Sequence, residues 1–428
     1  MTTLLIICCA VSACFLLVVL IRFDFSGIIL LLVFLRPFIE VFYDLKLGSI
    51  SGYEINPLSI WGGLMIIILN AYWLLQKKNP LDLSNTKWIA LFIASLCIGA
   101  ILSTGVDAII NQLLKALPWM LLVPVVADIC KTTEPAKILK LVYMALFMFI
   151  IVNGFSLLTG IYRTGYYEVG EFYGHFKGPQ PFSYTLLFLM PFAVYALRTQ
   201  RNKYMPLIIL LVTCLLIIFA YVRSTWVALL IGIFVFLYLE RRLSRKYVSA
   251  ILLGSFFLVS LIYFKPIIEP AFHVRTEDIR ESISSGSLQT LGSGRLGFWE
   301  AQLRRYFHGT LTQQLFGKGL GSISLLTFQE SGMRIGGHND YIDLLIGSGL
   351  FSCVLYMIFQ ANLIRNAFRL YTTENHLVGQ LGITAMVTMA TVGFLSGIIY
   401  SQSSVYIAVL MGIVLHLART SGARLPSI

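Results

Sequence analysis

Long apolar blocks separated by short polar connections run along most of this 428-residue sequence. Most blocks approach the roughly 20 residues that a helix needs to cross the hydrocarbon core of a bilayer. Because lipid supplies no hydrogen-bond partners for an open backbone, such blocks predict transmembrane helices. The predicted fold class is therefore all-α, a polytopic membrane helix bundle of about 12–13 transmembrane helices. The candidate spans are 4–21, 25–42, 57–75, 88–104, 109–127, 138–160, 181–197, 205–221, 224–239, 247–264, 341–360, 377–398 and 402–418.

The composition supports a membrane protein. Apolar residues make up 57% of the chain and charged residues only 12%, too few to cover a soluble protein of this size. The first block begins close to Met1, and a second follows at once without an Ala-x-Ala-like cleavage site between them. We therefore interpret the first block as a retained span rather than as a cleaved signal peptide.

The net charge of +12 reflects where the Lys and Arg residues lie. They collect in alternate connections, the positive-inside pattern, which assigns those connections to the cytoplasm. This placement explains the basic charge without nucleic acid as a partner. The groups are Lys77, Lys78 and Lys87; Lys131, Lys137 and Lys140; Arg198, Arg201 and Lys203; Arg241, Arg242, Arg245 and Lys246; Arg365 and Arg369; and Arg419 and Arg424.

Two connections on the opposite, external face are too long and polar to be simple turns. One is the short loop 161–180, and the other, 265–340, mixes amphipathic segments with Gly-Ser runs that break helices. The predicted organisation is an N-terminal transmembrane bundle over 1–264, a loop domain over 265–340 and C-terminal transmembrane helices over 341–428.

The cysteines indicate neither a disulfide framework nor a metal site. None lies in the long external loop and none has C-x-x-C spacing, so we interpret them as small packing residues. The external acidic residues are scattered, without a close carboxylate pair, and we predict no metal and no cofactor. The seven cysteines are Cys8, Cys9, Cys14, Cys97, Cys130, Cys214 and Cys353.

Three basic residues stand at helix starts on the external face. Arg223 opens a span, Arg295 follows two glycines at the start of an amphipathic segment, and His338 precedes the span at 341–360. Asn339 and Asp340, which follow His338, are candidate substrate-binding residues. The alternative is structural: an interfacial arginine can simply extend its charge to water, and Asn339 and Asp340 could have no task beyond capping the helix. Together, however, two guanidinium groups and the N–H groups of a helix N-terminus would form an anion site suited to a diphosphate.

Other external residues have alternative interpretations. Arg163, His175 and Lys177 in the short loop could bind phosphate or could form a solvated loop. Trp299 could stack on a sugar ring or belong to the aromatic belt of a membrane protein. Arg36, inside an apolar span, should face the protein interior, with Glu40 as a candidate partner.

Four runs in a fixed order carry a family resemblance. RSTWVALLIGIFVF, SGRLGFW, FGKGLGS and GGHNDYIDLLIGSGLF resemble the O-antigen ligase and O-antigen polymerase family of bacterial envelope proteins. The motifs cover about 220–350, and the many-span layout extends the likeness along the chain. The resemblance implies a GT-C-like, metal-independent glycosyltransferase of the bacterial inner membrane, with its active site facing the periplasm.

Such an enzyme takes a glycan from undecaprenyl diphosphate and transfers it to a hydroxyl, with inversion. The resemblance implies that Arg223 and Arg295 hold the diphosphate and that His338 positions or deprotonates the acceptor. The leading interpretation is a polymerase of lipid-linked repeat units, with a chain-length regulator as a candidate partner. A ligase that transfers glycan to lipid A–core is the alternative, and a lipid-linked oligosaccharide flippase is an alternative of another class.

Overall fold

The described part of the molecule is almost entirely helical. A computed structural model describes residues 25–39, 45–50, 53–77, 86–102, 106–160, 172–174, 176, 178–240, 295–323, 338–399 and 401–422. Two short antiparallel strands, β1 (Gly48–Ile50) and β2 (Tyr53–Ile55), form a hairpin. The helices are α1 (Phe25–Ile39), α2 (Pro57–Ser59), which continues through a π-helical turn (Ile60–Met65) into α3 (Ile66–Leu75), α4 (Thr86–Ile101), α5 (Val106–Ile129), α6 (Pro135–Thr159), α7 (Pro179–Thr199), α8 (Tyr204–Phe219), α9 (Arg223–Leu239), α10 (Arg295–Phe307), α11 (Leu311–Phe316), α12 (Asp340–Gly347), α13 (Gly349–Tyr371), α14 (His376–Ser396) and, after a 3₁₀ turn (Gln402–Ser404), α15 (Val405–Gly422).

Several helices have the length and composition of membrane spans. Within the described residues four are long and apolar enough to cross a bilayer: Gln112–Ile129, Pro135–Ser156, Pro179–Thr199 and His376–Ser396. Large apolar side chains also point outward, as expected of a lipid-facing surface; Leu158 and Phe234 are 88% and 70% exposed. The structure is thus compatible with a multi-pass membrane protein. The predicted spans 4–21 and 247–264 lie outside the described residues.

Helices before and after the predicted loop 265–340 share one apolar core. Trp119 on α5 packs its ring against Phe359 on α13, with centroids 5.8 Å apart. Phe92 on α4 stacks on Tyr356 of α13 at 5.5 Å. These four aromatic side chains are fully buried, so the helices before and after the loop form one packed unit rather than separate bundles.

The predicted span 341–360 is two helices rather than one. α12 ends at Gly347, Ser348 leaves the helical conformation, and α13 begins at Gly349 with φ +80°. A Cβ atom on Gly349 would lie 2.2 Å from the Leu315 carbonyl oxygen. The break therefore requires glycine both for its backbone conformation and for the close approach of α11.

The glycine-rich turn FGKGLGS packs directly on this break. The N–H groups of Lys318 and Gly319 donate to the carbonyls of Ile346 and Gly347, at 2.8 and 3.0 Å. A Cβ atom on Gly317 would lie only 2.4 Å from the Gly347 carbonyl oxygen. The turn thus joins the segment after α11 to α12, the helix that follows His338.

A buried acidic residue fastens α3 to α5. The Asp128 carboxylate accepts a hydrogen bond from the Trp73 indole N–H at 2.8 Å and forms ion pairs with Lys77 at 2.7 Å and Lys131 at 2.9 Å. Asp128 is 5% exposed, whereas both lysines reach solvent.

Arg36 of α1 is 3% exposed, which confirms the prediction that it faces the protein interior. Its predicted partner Glu40 lies outside the described residues.

We expect the replacement Asp128→Ala to lower the stability of the protein by about 2 kcal/mol, because it removes the acceptor of the Trp73 N–H and one of the links between α3 and α5. Thermal unfolding in detergent micelles, followed by tryptophan fluorescence, measures the change. The matched control is Glu300→Ala, which removes the exposed Glu300–Arg304 pair. Its free energy of unfolding should stay within about 0.5 kcal/mol of that of wild type. Equal midpoints for the two variants would contradict the assigned role of Asp128.

Candidate functional site

Two of the predicted site residues meet at the C-terminal end of α14. Arg295, the first residue of α10, donates a hydrogen bond to the carbonyl of Leu395. The imidazole of His338, which precedes α12, lies next to the backbone carbonyl of Ser396, the residue after Leu395. A guanidinium group is favourable at this position because the carbonyls at a helix C-terminus carry partial negative charge. The fold therefore brings together two residues that lie more than forty positions apart in the sequence.

Asp340 ties the same end of α14 to the start of α12. One of its carboxyl oxygens, Oδ1, accepts hydrogen bonds from the N–H groups of Ile398 and Ile399 at 2.6 and 2.8 Å. The side chain is completely buried. The expectation that Asp340 serves only in the first turn of a helix is therefore wrong, because its carboxyl group binds a segment nearly sixty residues away.

Asn339 caps α12, as predicted. Its side-chain oxygen accepts hydrogen bonds from the N–H groups of Tyr341 and Ile342 at 3.0 and 3.2 Å. These two donors are thereby used within the protein. The expectation that the α12 N-terminus offers its N–H groups to a diphosphate is therefore wrong for the N–H groups of Tyr341 and Ile342. The predicted anion site would depend mainly on the two arginines.

His338 holds an unusual backbone conformation between these anchors. Its φ of +51° lies in the left-handed region, which costs a residue with a side chain about 1 kcal/mol or more. Gly397, which follows α14 and has φ +73°, packs beside this segment: the Asn339 nitrogen lies 3.4 Å from the position of a Cβ atom, an ordinary contact distance. The packing of Asn339 and Asp340 thus compensates for strain in the residue that presents the imidazole.

Burial determines the protonation of both titratable groups next to α14. Burial and the positive charge of Arg295 lower the pKa of His338 below its ordinary value of 6.5, so the imidazole is neutral at physiological pH. Burial raises the pKa of Asp340 to about 8, against the opposing effect of its N–H donors. At physiological pH the start of α12 therefore carries a neutral imidazole at His338 and a mostly protonated carboxyl group at Asp340, with the positive charge of Arg295 nearby.

A tyrosine that the sequence analysis overlooked borders this cluster. Tyr184 of α7 is 3% exposed and interacts electrostatically with Arg295 and Asp340. Its hydroxyl lies beside those of Ser224 and Ser396, yet among the described residues neither the Tyr184 nor the Ser396 oxygen has a hydrogen bond of good geometry. Two buried hydroxyl groups with capacity to donate therefore adjoin the arginine and the histidine. In the sequence Tyr184 is one aromatic in an apolar span, and only the short polar run Ser183–Thr185 could have drawn attention to it.

Arg223 begins the neighbouring helix α9, as predicted for an arginine at a span start. The following residue, Ser224, is the one that lies beside Tyr184. A hydrogen bond of 2.9 Å between the hydroxyls of Ser183 and Thr225 joins α7 and α9 at this level. Arg223 thus sits on a helix that borders the cluster, and its contact with a diphosphate stays a prediction.

The remaining candidates are placed less directly. The rings of Trp299 and Phe394 of α14 pack in a T-shaped arrangement, with centroids 5.8 Å apart. Trp299 therefore contributes to packing, and its stacking on a sugar ring stays a prediction. Arg163, His175 and Lys177 lie outside the described residues.

Neither the comparison with protein-family models nor the comparison with curated protein sequences finds a match to this chain. Within the residues that the structure describes, no three His, Cys, Asp or Glu side chains gather in a way that could hold a metal ion. A function for the site must therefore be argued from its own residues, and metal independence stays a prediction.

We expect Asp340→Asn to keep the site assembled and Asp340→Leu to destroy it. The Asn carbonyl oxygen can accept both N–H groups of Ile398 and Ile399, whereas Leu leaves two buried donors unpaired at a cost of about 2–4 kcal/mol. Thermal unfolding in micelles distinguishes the variants. A Leu variant as stable as the Asn variant would contradict the anchoring role.

Wild type and Asp340→Asn together give a pH test. Because the Asp340 pKa rises from 3.8 to about 8 on folding, its contribution to stability is complete at acidic pH and is lost as the pH rises through about 8. The unfolding midpoint of wild type should therefore fall relative to that of Asp340→Asn between pH 5 and pH 8. Parallel pH profiles would show that this carboxyl group does not take up a proton on folding.

Proposed function

We propose that this protein is an inner-membrane glycosyltransferase that transfers a glycan from undecaprenyl diphosphate to a sugar hydroxyl at the periplasmic face. The acceptor we favour is the terminal sugar of another lipid-linked repeat unit, which makes the protein a polymerase of O-antigen or another surface polysaccharide. The observation that supports the proposal most is the approach of Arg295 and His338 to adjacent carbonyls of α14. It joins the two motifs on which the family resemblance depends most.

The proposed reaction is a direct displacement. The acceptor oxygen forms a bond to the anomeric carbon of the donor, and the bond from that carbon to the diphosphate breaks on the opposite face, which inverts the configuration. The acceptor proton moves to the neutral imidazole of His338. The lowered pKa of His338 supports this role, because a histidine must be unprotonated to act as a base.

Arginine charge would stabilise the leaving diphosphate in this scheme. A guanidinium group has five N–H donors in a fixed fork, so the bond from Arg295 to Leu395 leaves others for phosphate oxygens. Arg223 would supply the second guanidinium. Fixed positive charge of this kind can do the work that a divalent cation does in other transferases, and the scheme needs no metal or cofactor.

A ligase that transfers the glycan to lipid A–core uses the same chemistry with a different acceptor and remains the alternative. A flippase for lipid-linked oligosaccharides would need polar groups near the middle of its spans. The cluster described above instead lies at helix ends, at the start of α9, α10 and α12 and at the end of α14, which favours a transferase.

The decisive experiment supplies the purified full-length protein in micelles with undecaprenyl-diphosphate repeat units, with or without lipid A–core. Longer lipid-linked glycans would identify a polymerase, and glycan joined to core would identify a ligase. Deletion of the gene followed by a lipopolysaccharide gel gives the cellular counterpart: core with one repeat unit for a polymerase, bare core for a ligase. If neither product formed and the deletion changed no surface glycan, the proposal would be wrong.

Replacing Arg295 or His338 by Ala should lower the rate of glycan transfer about a hundredfold or more, since loss of such a charge or base removes about 3 kcal/mol of transition-state stabilisation. Arg295→Lys should recover little, because a point charge lacks the guanidinium fork. The matched control is Arg304→Ala on the same helix, an exposed arginine paired with Glu300, which should keep near-normal activity. All variants are compared at equal membrane abundance, and normal transfer by His338→Ala would refute the mechanism.

Tyr184→Phe should lower transfer about tenfold without lowering the unfolding midpoint. The hydroxyl has no well-formed hydrogen bond to lose, so its removal costs little stability, whereas a donor to the diphosphate or acceptor would be missed in the transition state. Rate and midpoint are measured on the same preparations. An unchanged rate, or a loss of stability that accounts for the lost rate, would assign Tyr184 to packing alone.

A further inference from the structure

An apolar cleft lies between four helices, in the half of the bundle remote from His338. Its walls come from α7, α8, α9 and α14, and its volume of about 450 Å³ is within the range of ligand pockets in proteins. Buried side chains such as Leu187, Leu229 and Leu381 line its interior, and partly exposed ones such as Leu211 and Ile233 line its rim. The cleft is therefore a groove with an apolar floor and an open side.

The groove is a wedge between α8 and α9. Near the turn that joins these helices, the Trp226 indole N–H donates to the Ile217 carbonyl at 3.1 Å and holds them together. The lining residues of the two helices begin beyond that contact, at Cys214 and Leu229, and continue toward the helix ends remote from the turn. The narrow end thus points toward the candidate site and the wide end away from it.

The wide end is basic. Arg198 and Lys203 line the groove there, and Lys203 also lines a second, polar concavity with Arg201, Asn202 and Tyr204. Arg198 is engaged by Glu240 in an ion pair of 2.6 Å. The positive charge next to the polar concavity therefore comes mainly from Lys203 and Arg201, in a connection that the positive-inside pattern predicts to be cytoplasmic.

The dimensions of the groove match one leaflet of a bilayer. From Leu187 to Arg198, α7 rises about 16 Å, close to half of the roughly 30 Å hydrocarbon core. An apolar groove of this depth that ends in a basic polar concavity is complementary to one acyl chain joined to an anionic headgroup. Basic pockets between helices on the cytoplasmic side are known to suit anionic lipid headgroups.

We infer that this groove binds an anionic phospholipid of the cytoplasmic leaflet, with an acyl chain between α8 and α9 and the headgroup phosphate on Lys203 and Arg201. The bound lipid fills the wedge and links the loop before α8 to α7 and α9. The inference concerns the end of the bundle opposite the candidate site and holds whether or not the proposed transferase activity is correct.

The test is native mass spectrometry of the delipidated full-length protein, titrated with phosphatidylglycerol and phosphatidylcholine of identical acyl chains. Wild type should bind one phosphatidylglycerol about tenfold more tightly than phosphatidylcholine. The double variant Arg201→Ala/Lys203→Ala should lose that preference, because both headgroup charges are gone. The matched control, Arg365→Ala/Arg369→Ala, removes two basic residues from the C-terminal part of α13, on the same predicted face, and should bind as wild type does.

Two further variants test the acyl chain itself. Ile233→Trp and Leu211→Trp fill the groove from opposite walls, and each should weaken the binding of both lipids about tenfold. The unfolding midpoints of the two variants show whether they fold. The inference is overturned if the double variant behaves like its control, or if both tryptophan variants bind phosphatidylglycerol as wild type does, which would reduce the effect to surface charge. Tighter binding of undecaprenyl phosphate than of phosphatidylglycerol in a competition titration would also overturn it.

Discussion

The hydrogen bonds from Ile398 and Ile399 to the buried carboxyl group of Asp340 are the contact on which the rest of the site depends. They join the segment after α14 to the start of α12 in a place without solvent, where an unpaired polar group is costly. The Trp119 indole N–H donates to the Ile399 carbonyl at 3.1 Å, which extends the link to α5. This junction holds His338 in its left-handed conformation next to the end of α14.

The junction has a chemical consequence. The last carbonyls of α14 form a negative helix end, where Arg295 donates a hydrogen bond and His338 lies close by. One side chain brings a permanent charge, and the other is kept neutral by burial and by that charge. A site with a fixed cation beside a neutral base, bordered by the buried hydroxyl of Tyr184, suits the transfer of a group from an anionic leaving group. The arrangement depends on the packing of the residue after α14, Gly397, against the backbone at the start of α12.

Much of the helical layout follows from local sequence. Apolar blocks and helix-start residues predict α7, α9 and α14 to within a few positions, and the Asn339 cap and the helix starts at Arg223 and Arg295 were predicted from their immediate neighbours. The break at Ser348 was missed because an apolar run looks continuous, and the break is imposed by backbone contact with the distant FGKGLGS turn. The roles of Asp340 and Tyr184 were missed for the same reason: each depends on partners that only the packing of remote helices brings close. The lipid groove, too, is defined by the divergence of α8 and α9, which no local pattern encodes.

Arg295 and His338 lie close together at the end of α14, and the pKa of His338 tests this proximity most directly. Nuclear magnetic resonance of the full-length protein labelled with ¹⁵N-histidine in micelles can follow each imidazole, with His338→Gln identifying the signal. We predict a pKa below 6.5 in wild type and a rise toward that value in Arg295→Gln, because a neighbouring positive charge disfavours the imidazolium. An ordinary pKa in wild type that does not respond to the loss of Arg295 would contradict the account.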